Sequence, residues 1–85
     1  MKSRFQQRVE NIPLGYSEVK FQGRTYGLTR TDFAGGRSMK VYGEEQGGTD
    51  FISFNYYFTQ KGDLLKPCEM PEAKVREFIL GYESQ

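Results

Sequence analysis

The sequence contains no histidine, no tryptophan and a single cysteine. Each shortage removes a class of chemistry. Without histidine there is no Ser-His-Asp triad, no Cys-His nucleophile pair and no imidazole metal site. One cysteine allows neither an intrachain disulfide nor a thiolate zinc cluster. Charge of one sign is not in excess: twelve Lys and Arg stand against eleven Asp and Glu. Dedicated nucleic-acid domains are usually clearly basic, and a net charge of +1 is not. Long apolar runs are missing too. Nothing approaches the roughly 18 apolar residues of a membrane span, and Phe5-Gln6-Gln7-Arg8 supplies no core for a signal peptide. With no disulfide to form, the expectation is one soluble, cytoplasmic domain over residues 1–85.

Leu, Ile, Val and Phe make up about 22% of the chain, close to the roughly 20% level at which chains tend to disorder. Seven Phe and six Tyr offset this, since each ring buries on the order of 150–250 Å² when placed inside. The expectation is a folded domain built on large rings. The balanced charge also hides an asymmetry. Residues 1–43 carry eight Lys/Arg and three Asp/Glu, net +5, and residues 44–85 carry four and eight, net −4.

Along the chain, Ser3 with Gln6 three positions later fits a capping box, and Phe5, Val9 and Ile12 share one helical face until Pro13 and Gly15 intervene. Residues 16–31 read as a hairpin turning at Gln22-Gly23, with Val19 opposite Tyr26 and Ser17 opposite Leu28. Residues 32–36 read as a loop. Arg37 to Glu45 forms a third strand, with Met39 and Val41 inward and Lys40 and Tyr42 outward. From Phe51 to Gln60, Ile52, Phe54, Tyr56 and Phe58 alternate strictly with Ser53, Asn55, Tyr57 and Thr59. Lys61-Gly62 turns into a fifth strand, Asp63 to Cys68, in a register that pairs Phe58 with Leu65. Pro71 to Leu80 is a second helix. It carries Val75, Phe78 and Ile79 on one stripe that Tyr82 continues, with Gly81 as its left-handed cap.

This order predicts an α+β fold, a five-stranded antiparallel β-meander with a C-terminal helix and a short N-terminal helix on its apolar face. The alternative is a small, bent SH3- or Sm-like barrel with flanking helices.

Four groups of residues carry candidate chemistry. Lys20, Lys40, Tyr42, Asn55 and Tyr57 fall on the outward side of the sheet, where rings stack or pack and lysines meet phosphate or carboxylate. A plain solvated face explains them equally, because Tyr and Thr suit strands. Arg30, Gly35, Gly36 and Arg37 flank one turn and form a candidate anion nest, against a simple connector. The Lys-Ser/Thr ending of a P-loop is absent. Cys68 has Lys66 nearby but Glu69 and Glu72 as well, which oppose a thiolate. Glu44, Glu45 and Asp50 surround Gly47-Gly48 without the alternating oxygens of a calcium loop. No catalytic set, metal site or cofactor motif emerges.

The expected function is therefore a non-enzymatic module that binds a protein or peptide through the outward sheet face, with a homodimer as one form of this. The alternative is nucleic acid, bound through Lys20, Arg24, Arg30, Arg37, Lys40, Tyr42 and Tyr57. The K/R-G-F/Y-G/A-F-V-x-F/Y signature of RNA-recognition sheets is absent.

Overall fold

The alternating stretches become strands and the two apolar stripes become helices. The order is α1 (Arg4–Glu10), β1 (Gly15–Phe21), β2 (Arg24–Phe33), β3 (Ser38–Glu45), β4 (Phe51–Thr59), β5 (Gly62–Pro67), α2 (Glu72–Gly81) and β6 (Glu83–Ser84), with a 3-10 turn at Ala34–Gly36. The computed structural model describes residues 2–84. Among them, no helix is long and apolar enough to cross a membrane. The strands form one open antiparallel sheet in the order β5-β4-β3-β2-β1-β6.

Four expectations need correction. The sheet has six strands rather than five. The sixth, Glu83–Ser84, lies against β1 with Val19 opposite Ser84 and Lys20 opposite Glu83. An unpaired strand edge invites such pairing, and the chain's own C-terminal end takes part of it. The barrel alternative is not what forms, because β5 and β6 stand at opposite edges of a linear order. The last hairpin is tighter than expected: Phe58 pairs with Asp63, and Tyr56 takes Leu65. A shift of two residues keeps every side chain on its face, so the core prediction survives the error. Gly81 is also not a left-handed cap. It closes α2 as a helical residue, where a Cβ would sit 3.0 Å from the Phe21 ring.

The first hairpin has the expected register throughout, Val19 to Tyr26 and Ser17 to Leu28. Its turn needs positive φ at both central residues, supplied by Gln22 (52°) and Gly23 (76°). One face of the sheet is apolar and carries both helices. Val19, Tyr26, Leu28, Met39, Val41, Ile52, Phe54 and Tyr56 pack there with Phe5, Val9, Val75, Phe78 and Ile79 in one buried cluster. Gly43 sits in this layer because nothing larger fits: a Cβ would fall 2.4 Å from Leu28 Cδ2. Rings concentrate where α2 crosses the sheet, with Phe78 centred 4.9 Å from Phe21 and 5.0 Å from Tyr26.

Helices this short are not stable alone in water, and two arginines hold them. At the end of α2, Arg8 from α1 donates through Nε to Ile79 O at 2.8 Å and through Nη2 to Tyr82 O, while its guanidinium lies 4.1 Å from the Tyr82 ring centroid. Tyr82 returns its hydroxyl to Arg8 O at 2.7 Å. At the end of α1, Arg30 from β2 donates Nη1 to Ile12 O at 2.6 Å and to Glu10 O at 3.2 Å. Its Nε and Nη2 are held by both oxygens of Asp32, at 2.9 and 3.1 Å. Each helix thus has its orphan C-terminal carbonyls met by a cation from another element, the sign that the helix dipole favours.

The buried tyrosines each find a partner for the hydroxyl, as the cost of an unpaired buried donor requires. Tyr56 donates to Asp63 Oδ2 at 2.8 Å. Tyr26 donates to Asp50 Oδ2 at 2.7 Å, and Lys74 of α2 donates to Asp50 Oδ1 at 2.6 Å. Burial first, and then the Asp50 hydrogen bond, push the Tyr26 phenol up to about 12. Lys74, and then Tyr26, hold the Asp50 carboxyl below its usual range.

Two outcomes follow. Arg30→Met leaves the Glu10 and Ile12 carbonyls and the Asp32 carboxylate without their donor. It should lower unfolding free energy by about 2–4 kcal/mol, read as a drop in urea midpoint at constant slope. Asp50 has a folded pKa below its unfolded value. Its contribution is therefore complete above about pH 4 and drains away as pH falls through the folded pKa. Urea titrations between pH 2 and pH 7 should show a shallower acid loss for Asp50→Asn than for the wild type. An unchanged profile would mean that Asp50 adds nothing.

Candidate functional site

The second face of the sheet is covered by neither helix. Strand pairing arranges its side chains in rows across the strands. One row is Glu18, Gly27, Glu44 and Phe51, and the next is Tyr16, Thr29, Tyr42 and Ser53. A third is Thr31, Lys40, Asn55 and Lys66, and a fourth is Phe33, Ser38, Tyr57 and Leu64. Rows are spaced by two residues, about 7 Å along the strands. Two rows rich in rings therefore flank one basic, polar row. Tyr16, Phe33, Tyr42, Tyr57 and Leu64 are between 38% and 63% exposed.

Of the predicted surface residues, four come together. Lys40 and Asn55 are directly paired, with Tyr42 in the row on one side and Tyr57 in the row on the other. Lys20 does not join them. It pairs with Thr25, three rows from Lys40, roughly 20 Å along the strands. Cys68 belongs to this face, which the sequence did not signal. Its N–H donates to Ser53 O at 2.9 Å, extending the β5 pairing by one residue. Its Sγ accepts from Asn55 Nδ2 at 3.7 Å and Lys40 Nζ at 3.9 Å. Ser53, between Tyr42 and Cys68, is buried although it points outward.

The proposed anion nest separates. Arg30 faces the helices, its side chain 15% exposed and its donors engaged with Asp32 and the end of α1. Gly35 and Gly36 have the positive φ that a nest uses, 67° and 89°. Arg37 folds back across the same turn, donating Nε to Ala34 O at 3.2 Å. The two arginines therefore do not converge on one anion.

A feature that the sequence reading passed over lies at the β3–β4 end of the open face. A groove of about 590 Å³ runs between Tyr16 and Tyr42 and is bounded by Glu44, Glu45 and Gln46. Thr29 lies between the two tyrosines in register, and Gly27 lies between Glu18 and Glu44. Between the walls lie only a threonine and a glycine, and the Tyr16 ring lies over the glycine. Gln46 ties the walls together, donating Nε2 to Glu18 Oε2 at 2.8 Å and to the Tyr16 hydroxyl at 3.1 Å. Partial desolvation, and then the Glu44 carboxylate, raise the Tyr42 phenol above the ordinary tyrosine range. The available signal was Gly27, the one residue without a side chain in the outward series of β2. Among the described residues, no group of three or more acidic or thiol side chains is placed to hold a metal ion.

Gly27 explains the shape of the groove. A Cβ there would fall 2.5 Å from the Tyr16 hydroxyl and 2.9 Å from its Cε1, so the ring leans across bare backbone. Tyr16 is exposed, and only hydrogen bonds with Glu18 and Gln46 at its hydroxyl hold the ring there. Gly27→Ala should therefore change stability by less than about 1 kcal/mol while displacing the ring. Chemical shifts of the Tyr16 ring and of the Gln46 side-chain amide should move while those of Val41 and Phe54 stay. A cooperative loss of stability would instead place Gly27 in the core.

Comparison with known proteins finds no match for this chain among family models, curated proteins or solved structures.

Proposed function

We propose that the chain is a non-enzymatic binding module that takes a protein or peptide segment across the open face of its sheet. The observation that carries this is the exposure of five large side chains in two rows on a face that neither helix covers. Large side chains gathered on one uncovered face suit an interaction surface, and Tyr is favoured there because it offers much contact area for little lost entropy. The helices have already satisfied the other face, so solvation of the core does not demand these residues.

The nucleic-acid alternative draws its support from Lys40 and Lys66, which share a row between Tyr42 and Tyr57. Glu18 and Glu44 on the same face argue against a polyanion, and Arg30 is engaged elsewhere. The protein reading is the better supported.

A displayed random-peptide library selected on the wild-type protein provides the test. Tyr42→Thr/Tyr57→Thr keeps strand-favouring residues at both sites and should leave thermal unfolding nearly unchanged. It should weaken the selected peptides tenfold or more, as the loss of two ring anchors of about 1–2 kcal/mol each implies. Peptides that bind the double variant as well as the wild type would move the function off this face. Saturable, salt-sensitive binding of single-stranded oligonucleotides by the same residues would favour the alternative.

A further inference from the structure

The open face is not chemically uniform, and one corner of it is selective. Tyr16 and Tyr42 stand on either side of Thr29, and Glu18 and Glu44 stand on either side of Gly27. Two strand spacings separate each pair, about 10 Å, and the pairs lie one row apart, about 7 Å. Two rings and two carboxylates therefore stem from the corners of a rectangle with a threonine and a glycine between them, the Tyr16 ring lying over the glycine and donating its hydroxyl to Glu18 Oε2 at 3.2 Å. Neither Glu18 nor Glu44 has an ion-pair partner within 4 Å among the described residues. Glu45 at the groove's end is paired with Arg24 at 3.6 Å. No lysine or arginine lines the groove. The nearest outward cation along β1 is Lys20, one row beyond Glu18 and pointing to solvent.

From this arrangement we infer that the groove between Tyr16 and Tyr42 receives an arginine side chain from a basic segment of a partner protein. The inference rests on the reading of the open face as a protein-binding surface. Two carboxylates without cations attract a positive group. Flanking tyrosine rings present negative π faces to it. A guanidinium suits both, because its plane stacks on a ring while its edge donates to a carboxylate in a fork. An ammonium has neither the plane nor the fork. Gly27 lets the Tyr16 ring lie low over the backbone as part of the groove's lining, and the bonds from the Tyr16 hydroxyl and Gln46 Nε2 hold Glu18 in place before the ligand arrives.

The probe is a capped, flexible peptide of glycine, serine and arginine, titrated into the isotope-labelled full chain and followed by backbone amide shifts. The same peptide with citrulline replacing arginine keeps the planar group and removes the charge. The arginine peptide should shift Gly27, Thr29, Glu44 and Gly47 saturably, and the citrulline peptide should not. Glu18→Gln/Glu44→Gln preserves shape and should weaken binding about tenfold, the combined worth of two exposed charge pairs. Lys20→Glu should strengthen it. Equal shifts with citrulline, an unaffected double variant, or shifts centred on Lys40 and Lys66 would overturn the inference. So would concentration-dependent shifts of the same amides without peptide, which would assign the groove to a second copy. If the groove fails while Tyr42→Thr/Tyr57→Thr still abolishes partner binding, the face stands and only its ligand chemistry changes.

Discussion

The grip of Arg8 on the last carbonyls of α2 is the constraint on which the rest of the molecule depends. A helix of seven residues and one of ten cannot persist without tertiary support. Each also ends with carbonyls that have no partner of their own. Arg8 meets those of α2, Arg30 meets those of α1, and Tyr82 closes the circuit through its hydroxyl. The position of α2 then fixes what surrounds it. Lys74 reaches Asp50, Phe78 enters the ring cluster, and the chain leaving Tyr82 runs along the edge of β1.

Because both helices are committed to one face, the other is left to side chains alone. The two faces use glycine in the same way for opposite ends. At Gly43 the missing Cβ lets Leu28 press inward and complete the core. At Gly27 it lets Tyr16 lie over backbone and shape a groove. Charge is divided with similar economy. The basic first half and the acidic second half meet where Arg24 pairs with Glu45, while Arg30–Asp32 and Lys74–Asp50 neutralise charge within each half.

Most of the sheet was legible because alternation is a strong, local signal. The ten residues after Asp50 announce their inward and outward sets without ambiguity, and the first hairpin is set by a Gln-Gly turn and matching apolar positions. β6 was not legible. Two polar residues, Glu83 and Ser84, carry no pattern, and only an unpaired edge far away in sequence makes them a strand. The roles of Arg8 and Arg30 were hidden for the same reason, since an arginine reads as surface until the carbonyls it will meet have been placed. In the candidate site, the grouping of Lys40, Tyr42, Asn55 and Tyr57 followed from parity alone. The distance of Lys20 depended on counting rows, and the groove depended on Gly27, whose significance is the absence of a side chain.

The meander has a consequence for the order of events in time. Every strand pair from β1 to β5 joins neighbours in the chain, so those hairpins close short loops at little entropic cost. The links between the chain's two ends are of another kind: Arg8 meets Ile79 and Tyr82 across 71 and 74 positions, and Val19 meets Ser84. With the packing of Phe78 on Phe21 and Tyr26, these contacts span the longest stretches of chain in the domain, and long separation is what slows folding most. The two ends therefore work as a buckle on a belt that is otherwise woven from adjacent threads. Undoing the buckle frees β6 from the edge of β1 and bares the apolar face, while the ladder from β1 to β5 still joins neighbours in the chain.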